Sequence, residues 1–226
     1  MTIPDSPTNE PGSGSVYVNR QLDRIAARWD SKAAVWDENL KDPACHLNED
    51  GAYDRFLEKL LGIIQARREF CSTQGIIDAG CATGLVLAKV ISSFAWGVGM
   101  DISSEMIKRA QAKHIPNARF IIGDCFDISG NCPKAGAVVS RGVLLSHYGH
   151  HQGEILLRSA RTALVEGGFI LWDFLNRAGR AKFQHVPRNK TFFDPPEICA
   201  MATRAGFGTY MIIGDDDRRV GLLFAQ

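Results

Sequence analysis

The sequence predicts an α/β fold built on a doubly wound, mostly parallel sheet, and three observations predict it. Apolar strand-like runs alternate with amphipathic helical stretches from residue 76 to residue 173. The first run, Ile76-Ile77-Asp78-Ala79, opens into the small-residue turn Gly80-Cys81-Ala82-Thr83-Gly84 and then a helix beginning near Leu85. At the far end, two strand-like runs at 209–213 and 219–225 flank Asp215-Asp216-Asp217, which reads as a solvated hairpin turn.

The 226 residues suit one domain with a large core. Residues 1–14 are rich in Pro, Ser, Thr and Gly, lack an apolar segment, and read as a disordered tail rather than a secretory signal. The remainder, 15–226, divides into a helical N-terminal part (15–70) and the sheet-bearing core (71–226). In the helical part, Val18, Leu22, Ile25, Ala26 and Trp29 recur at helical spacing, followed by Ala33, Trp36 and Leu40. Residues 42–50 form a polar loop in which Asn48 or Asp50 is a candidate helix cap, and Tyr53, Phe56, Leu57, Leu60, Leu61 and Ile64 mark an amphipathic helix.

From there the expected order is helix 85–93, strand 96–100, helix 104–113 capped by Ser103, strand 118–122, strand 137–140, helix 153–165 and strand 169–173. Glu166-Gly167-Gly168 would end the helix before that last strand. Asp194-Pro195-Pro196-Glu197 has the cap and first-turn prolines of another helix start, with Ile198, Met201, Ala202 and Ala205 on its buried side.

The turn after the first strand handles a nucleotide-like ligand. Gly80, Ala82 and Gly84 let backbone N–H groups approach it closely, ahead of the positive end of a helix dipole. Asp78 would repel the pyrophosphate of a dinucleotide and attract an ammonium or sulfonium, so the expected ligand is cationic. Asp101 ends the second strand, one βαβ unit later, where an acid holds ribose hydroxyls. Asp124 ends the third, where it could accept an exocyclic amine while Phe126 covers a purine. Together these describe an adenosine with a charged tail.

At these residues the chain resembles the class I S-adenosylmethionine-dependent methyltransferases. The marks are Asp78-x-Gly80-x-Ala82-x-Gly84, Gly99-Met100-Asp101-Ile102-Ser103-x-Glu105-Met106, Gly123-Asp124-Cys125 and Val138-Val139-Ser140, and the likeness runs over roughly residues 50 to 226. It departs at Ala82, where glycine is usual, and at Gly136, where aspartate often opens the fourth strand. The resemblance implies a seven-stranded sheet closed by an antiparallel C-terminal hairpin. It implies S-adenosylmethionine as cofactor, with its amino-acid end at Asp78, Gly80 and Gly84, its ribose at Asp101 and its adenine at Asp124 and Cys125. Ile102, Met106 and Ser140 belong to the same cofactor set. Leading helices that close over the cofactor would bring Trp29 or Trp36 against its methionine part, simple core packing being the other reading.

Substrate groups should follow the fourth and fifth strands, beyond whose carboxyl ends ligands of open α/β sheets bind. His147 is the candidate base, with Tyr148 orienting it or replacing it, and a hydrogen-bonded structural histidine is the alternative. Arg141 could pair with a substrate carboxylate, Ser146 belongs to the same substrate set, and Asp173 and Asn176 could hold a substrate amine or hydroxyl or only end the fifth strand. His147, His150, His151 and Glu154 lack the spacing of familiar zinc sites, and no metal is expected.

The 26 basic and 25 acidic residues form no basic stripe, so long nucleic acid is not an expected substrate. No apolar run reaches membrane-spanning length. The six cysteines, with no C-x-x-C pair, suit reduced thiols in the cytoplasm. The expected activity is methyl transfer from S-adenosylmethionine to an oxygen or nitrogen of a small molecule. Open alternatives are an RNA or protein methyltransferase, a protein that binds the cofactor without transfer and, more remotely, a nicotinamide dehydrogenase. Oligomeric state is not legible.

Overall fold

The computed structural model describes residues 16–41, 51–183, 186, 189–213 and 218–226. The expected tail at 1–14, the polar loop at 42–50 and the Asp215–Asp217 turn lie outside the described residues. The seven strands are β1 (Gly75–Ala79), β2 (Trp96–Asp101), β3 (Ala118–Ile122), β4 (Ala135–Ser140), β5 (Leu164–Leu175), β6 (Tyr210–Ile213) and β7 (Val220–Ala225). They form one sheet in the order β3-β2-β1-β4-β5-β7-β6. Pairs from β3 to β5 are parallel, while β7 runs antiparallel to both β5 and β6.

The order reverses direction between β1 and β4, so the connections after β1 and β4 leave towards opposite sides and open a crevice at their carboxyl ends. All five residues of β1 and all six of β4 are buried, which explains why these strands read as unbroken apolar runs rather than alternating ones. Helices cover both faces. On one side Leu156, Leu157, Ile198 and Met201 pack under Trp172 and Phe174; on the other Phe56, Leu60, Leu87 and Ile107 pack against Ile76, Val139 and Leu171.

The nine α-helices among the described residues are α1 (Val16–Asp30), α2 (Trp36–Lys41), α3 (Ala52–Ala66), α4 (Arg68–Thr73), α5 (Leu85–Val90), α6 (Ser104–Ala112), α7 (Ile128–Asn131), α8 (His150–Thr162) and α9 (Pro195–Arg204). Ser103 caps α6 as its type and position suggested, its hydroxyl accepting from the Met106 N–H at 3.1 Å. At α9 the Asp194 N–H donates to Glu197 Oε2 at 2.8 Å, one half of a capping box.

Two expectations need correction. The helix placed at 153–165 starts at His150 and ends at Thr162, because Gly149 supplies an extended N-cap and Ala163 a C-cap that the apolar spacing alone did not reveal. Gly167, at φ +71°, does not close that helix. It lies inside β5, where the register against β4 jumps from Ala135↔Leu164 to Ala137↔Phe169, so its positive φ serves a bulge.

No helix of the described residues is long and apolar enough to cross a membrane. Cys71, Cys81, Cys125, Cys132 and Cys199 are free thiols.

Candidate functional site

The crevice at the carboxyl ends of β1 to β4 is a cleft of about 1090 Å³ of empty space, its open mouth included. The turn after β1 forms its floor. Gly80 (φ +74°), Ala82 (φ +47°) and Gly84 (φ +79°) are all left-handed, which folds the turn back on itself: the Gly80 and Cys81 N–H groups both donate to the Met100 carbonyl, at 2.8 and 3.0 Å, and the Gly84 N–H donates to the Cys81 carbonyl at 2.9 Å. Ala82 accepts this conformation although it carries a Cβ, and its N–H is fixed by Asp101 Oδ2 at 2.9 Å. Gly84 does not line the cleft. It is the N-cap of α5, and a Cβ there would stand 2.7 Å from the Phe120 ring, so its role is to seat the turn against β3.

Gly80, Ala82, Asp101, Ile102 and Met106 form one wall, Asp124, Cys125 and Ser140 continue it, and Trp36 closes over it. Ser140 is fully buried, its hydroxyl donating to the Ala79 carbonyl at 2.8 Å, so it ties β4 to β1 beneath the floor. Phe126 stands one layer behind the lining, edge-on to Tyr148 at 5.0 Å.

Asp78 lies beneath the lining. It is 1% exposed, and its Oδ2 has no hydrogen-bond partner. Burial, with the Asp101 charge added, pushes its pKa up to about 8. The standing negative charge expected at Asp78 is not what burial leaves. With that pKa it is instead mostly a carboxylic acid at neutral pH. Asp101 is also raised by burial, with the N–H groups of Ser103 (2.9 Å) and Ala82 (2.9 Å) opposing the shift by solvating its carboxylate.

The helical N-terminal segment is fastened over the cleft by two acids. Asp30, at the end of α1, accepts from Ser103 Oγ at 2.6 Å and from the Glu105 N–H at 3.1 Å, so it adds a second cap to α6. Asp37, in α2, accepts from the Thr83 hydroxyl and pairs with Lys113 Nζ at 2.7 Å, while Lys113 also donates to the Thr83 carbonyl at 2.8 Å. Both latches end on residues of the floor turn or of α6. Between them Trp29 and Trp36 meet edge to face at 5.8 Å. Asp30→Ala is expected to loosen this segment by about 0.5–2 kcal/mol, the scale of a lost cap. Amide hydrogen exchange of residues 25–36 should then accelerate while that of β1, β4 and β5 stays unchanged; uniform acceleration would contradict the latch.

The residues expected on the substrate side follow β4 and β5. Asp173 accepts from the Gly142 N–H at 3.1 Å and the Val143 N–H at 2.6 Å, holding the chain in the unusual positive φ of both residues. Ser146 Oγ accepts from the Leu175 N–H at 2.8 Å, and Asn176 Oδ1 accepts from the Ala178 N–H at 3.1 Å. Asp173, Ser146 and Asn176 are all buried outside the cleft lining. The structure therefore does not bring them to the expected substrate side: they satisfy backbone donors that the loops after β4 and β5 leave open. Arg141 does line the cleft and lies 5.0 Å from the Tyr53 ring.

His147 and Tyr148 also line it. Tyr148 is held protonated, its pKa pushed up to about 12 by burial and the nearby Cys125 and Asp124. The His147 ring lies 5.4 Å from Trp29, and its Nδ1 meets Lys190 Nζ at 2.5 Å. A hydrogen bond to the Gly142 backbone leaves Nδ1 as the acceptor for the lysine. Burial, with Lys190, Arg28 and Lys32 adding repulsion, drives the imidazole pKa down to about 3. Such an imidazole is neutral throughout the ordinary pH range, but a weak proton acceptor.

Sequence reasoning missed Lys190, Asn189 and Arg28, all of which line the cleft. Arg28 had a usable signal, being three residues beyond Ile25 on the helix face that carries Trp29. Lys190 had none, because its segment has no periodicity. The histidines weighed as metal ligands are dispersed: His150 pairs with Glu197 at 3.2 Å and Glu154 with Arg158 and Arg204. Among the described residues no three His, Cys, Asp or Glu side chains gather as a metal set.

Residues 76–168 match the family described as a methyltransferase domain. A stretch of 58 residues is 38% identical to the trans-aconitate 2-methyltransferase of Deinococcus radiodurans, spanning 25% of this chain and only 22% of that relative. Among solved structures, the chain is similar to magnesium protoporphyrin IX methyltransferase from Synechocystis PCC 6803 with bound SAH. The TM-score is 0.70 at 14% identity, over 90% of this chain and 98% of that one. It is also similar to DesVI of Streptomyces venezuelae, with a TM-score of 0.65 at 19% identity over 86% and 97%. At these identities the likeness is one of fold.

Proposed function

We propose, from the premise that this chain carries a methyltransferase domain in the class I, S-adenosylmethionine-dependent architecture, that it transfers a methyl group from that cofactor to a small-molecule acceptor. One observation carries the reading: carboxyl groups stand at the ends of three adjacent strands, Asp78 in β1, Asp101 closing β2 and Asp124 just past β3, around a single cleft. Asp101 suits the ribose, and Gly80, with open space where a side chain would stand, leaves room for the amino-acid tail. Asp124 and Cys125 suit the adenine edge, and the buried Asp78 answers the positive charge.

When bound, the cofactor supplies an activated methyl carbon on a sulfonium. The chain's own work is to place an acceptor lone pair in line with that carbon and to keep water away. Trp29 and Trp36 provide the water-excluding cover, and Asp30 and Asp37 hold it down. His147 is suited to orienting the acceptor by a hydrogen bond rather than to carrying its proton, since its imidazole is held neutral with little proton affinity.

The N-terminal helices contribute Ile25, Arg28, Trp29 and Trp36 to the lining of the cleft, which leaves it a bounded pocket. That supports a small acceptor over RNA or a protein chain. The reduced thiols are in keeping with a cytoplasmic setting.

Calorimetric titration with S-adenosylmethionine and SAH tests the cofactor assignment directly. Incubation with the labelled cofactor and a panel of amines, phenols and carboxylic acids, followed by mass spectrometry for products heavier by one methylene, tests transfer. trans-Aconitate belongs in that panel because the curated relative carries it in its name. Absence of binding by both cofactor forms would refute the reading. For His147→Ala, kcat is expected to fall about tenfold, the scale of one lost hydrogen bond to a reacting partner, while SAH affinity changes less than about twofold. The wild-type kcat should show no inflection between pH 6 and 7; a clear one abolished by the substitution would restore the imidazole as base.

A further inference from the structure

We infer that the acceptor is an anion, of the carboxylic acid class, drawn to the cleft by Lys190 with Arg28 and Lys32 around it. The inference rests on the methyltransferase reading above and names the substrate class for that same site. Lys190 and Arg28 enter the cleft from two distant parts of the chain, the segment before α9 and the helix α1. Lys32 lies just beyond, its Nζ 4.9 Å from the Trp29 ring that forms the cover. Among the described residues, none of the three cations has a carboxylate partner: Lys190 meets only His147, and Arg28 and Lys32 meet only the Trp29 face.

The three act on one another and on His147. Burial together with Arg28 and Lys32 lowers the Lys190 ammonium to about 7, and no anion counters them. Asp101 and Asp124 line the same cleft but do not enter that balance. Gathering unpaired positive charge in a half-buried site is unfavourable in the empty protein and is relieved by an anionic ligand. The methionine carboxylate of the cofactor can engage Arg28, which leaves the two lysines facing the acceptor.

The chemistry agrees with the charges. A carboxylate oxygen uses a lone pair to form the new O–CH3 bond while the S–CH3 bond breaks and leaves its electron pair on sulfur. Anion and sulfonium become a neutral ester and a neutral thioether. No proton has to be removed, so a site whose histidine is a weak base and whose tyrosine is held protonated lacks nothing the step requires.

The test is calorimetric titration of the SAH-saturated protein with succinate and benzoate, and with succinamide and benzamide as neutral counterparts. The acids are expected to bind at least tenfold more tightly than the amides and to weaken as salt is raised. Lys190→Gln and Lys32→Gln should each erode the preference for acid over amide, Lys190→Gln by about tenfold, with SAH affinity within about twofold of wild type. Acids that bind no better than amides overturn the inference while leaving the methyltransferase reading intact. So does a pattern in which the lysine variants lose SAH affinity instead, since the cluster would then serve the carboxylate of the cofactor. A protein that fails to bind SAH at all sinks both.

Discussion

Asp101→Ala is expected to weaken SAH binding by about 1–3 kcal/mol, a rise in Kd of roughly 5- to 150-fold. Two losses combine. The carboxylate at the end of β2 is the group we propose for the ribose hydroxyls, and charge-assisted hydrogen bonds are the stronger kind. It also fastens the site, because Oδ2 accepts from the Ala82 N–H and Oδ1 from the Ser103 N–H, each at 2.9 Å. Without it, a non-glycine residue at φ +47° loses the bond that holds its turn, and the floor loosens along with the ligand contact. Calorimetry against SAH, accompanied by a thermal melt of the empty protein, checks this. An Asp101→Ala variant that binds SAH as wild type does would remove the ribose from this position.

Asp78→Asn is expected to abolish a pH dependence that the wild type possesses. In the empty protein burial raises the Asp78 pKa to about 8, against about 3.9 for an unfolded aspartate. Between those values the folded state holds a proton that the unfolded state has released. The contribution to stability is therefore fully present below about pH 4 and is lost as pH rises through about 8. Replacing the acid with an amide of the same shape should leave stability at low pH nearly unchanged and raise it above pH 8 relative to wild type.

Binding runs the other way. A cationic cofactor favours the ionised carboxylate, so between about pH 6 and 8 the wild type must give up a proton when it binds. Its affinity should then climb with pH by up to about tenfold per unit, while that of the asparagine variant stays flat over the same range and is about 1–3 kcal/mol weaker at pH 8. Titration in two buffers of different ionisation enthalpy counts the proton released. Zero protons released near pH 7 would show that Asp78 does not answer the charge of the ligand.

Much of the site was legible because its chemistry is local in the chain. A carboxylate at a strand end, followed by residues able to take positive φ and then a helix start, occupies fewer than ten consecutive positions. The parallel register of β1, β2 and β3 places three such ends side by side. Ser103 and Asp194 could be read as helix starts for the same reason: caps act within three or four residues. By contrast, Ser146, Asp173 and Asn176 have the residue types of substrate ligands, and only packing shows that buried N–H groups of Val143, Leu175 and Ala178 already occupy them. The latches at Asp30 and Asp37 were likewise hidden, since their partners at Ser103 and Lys113 lie more than seventy positions away.

Periodicity, strand-end acids and turn glycines, all short-range features of the backbone, by themselves determined the α/β sheet and the cofactor side of the cleft. Charge states and the acceptor side were decided only by tertiary structure. Desolvation turns Asp78 into an acid and His147 into a weak base, and it depends on what the whole fold packs around a group rather than on its neighbours in sequence. Lys190, Arg28 and Lys32 become one positive cluster only when two segments some 160 positions apart close over the same crevice.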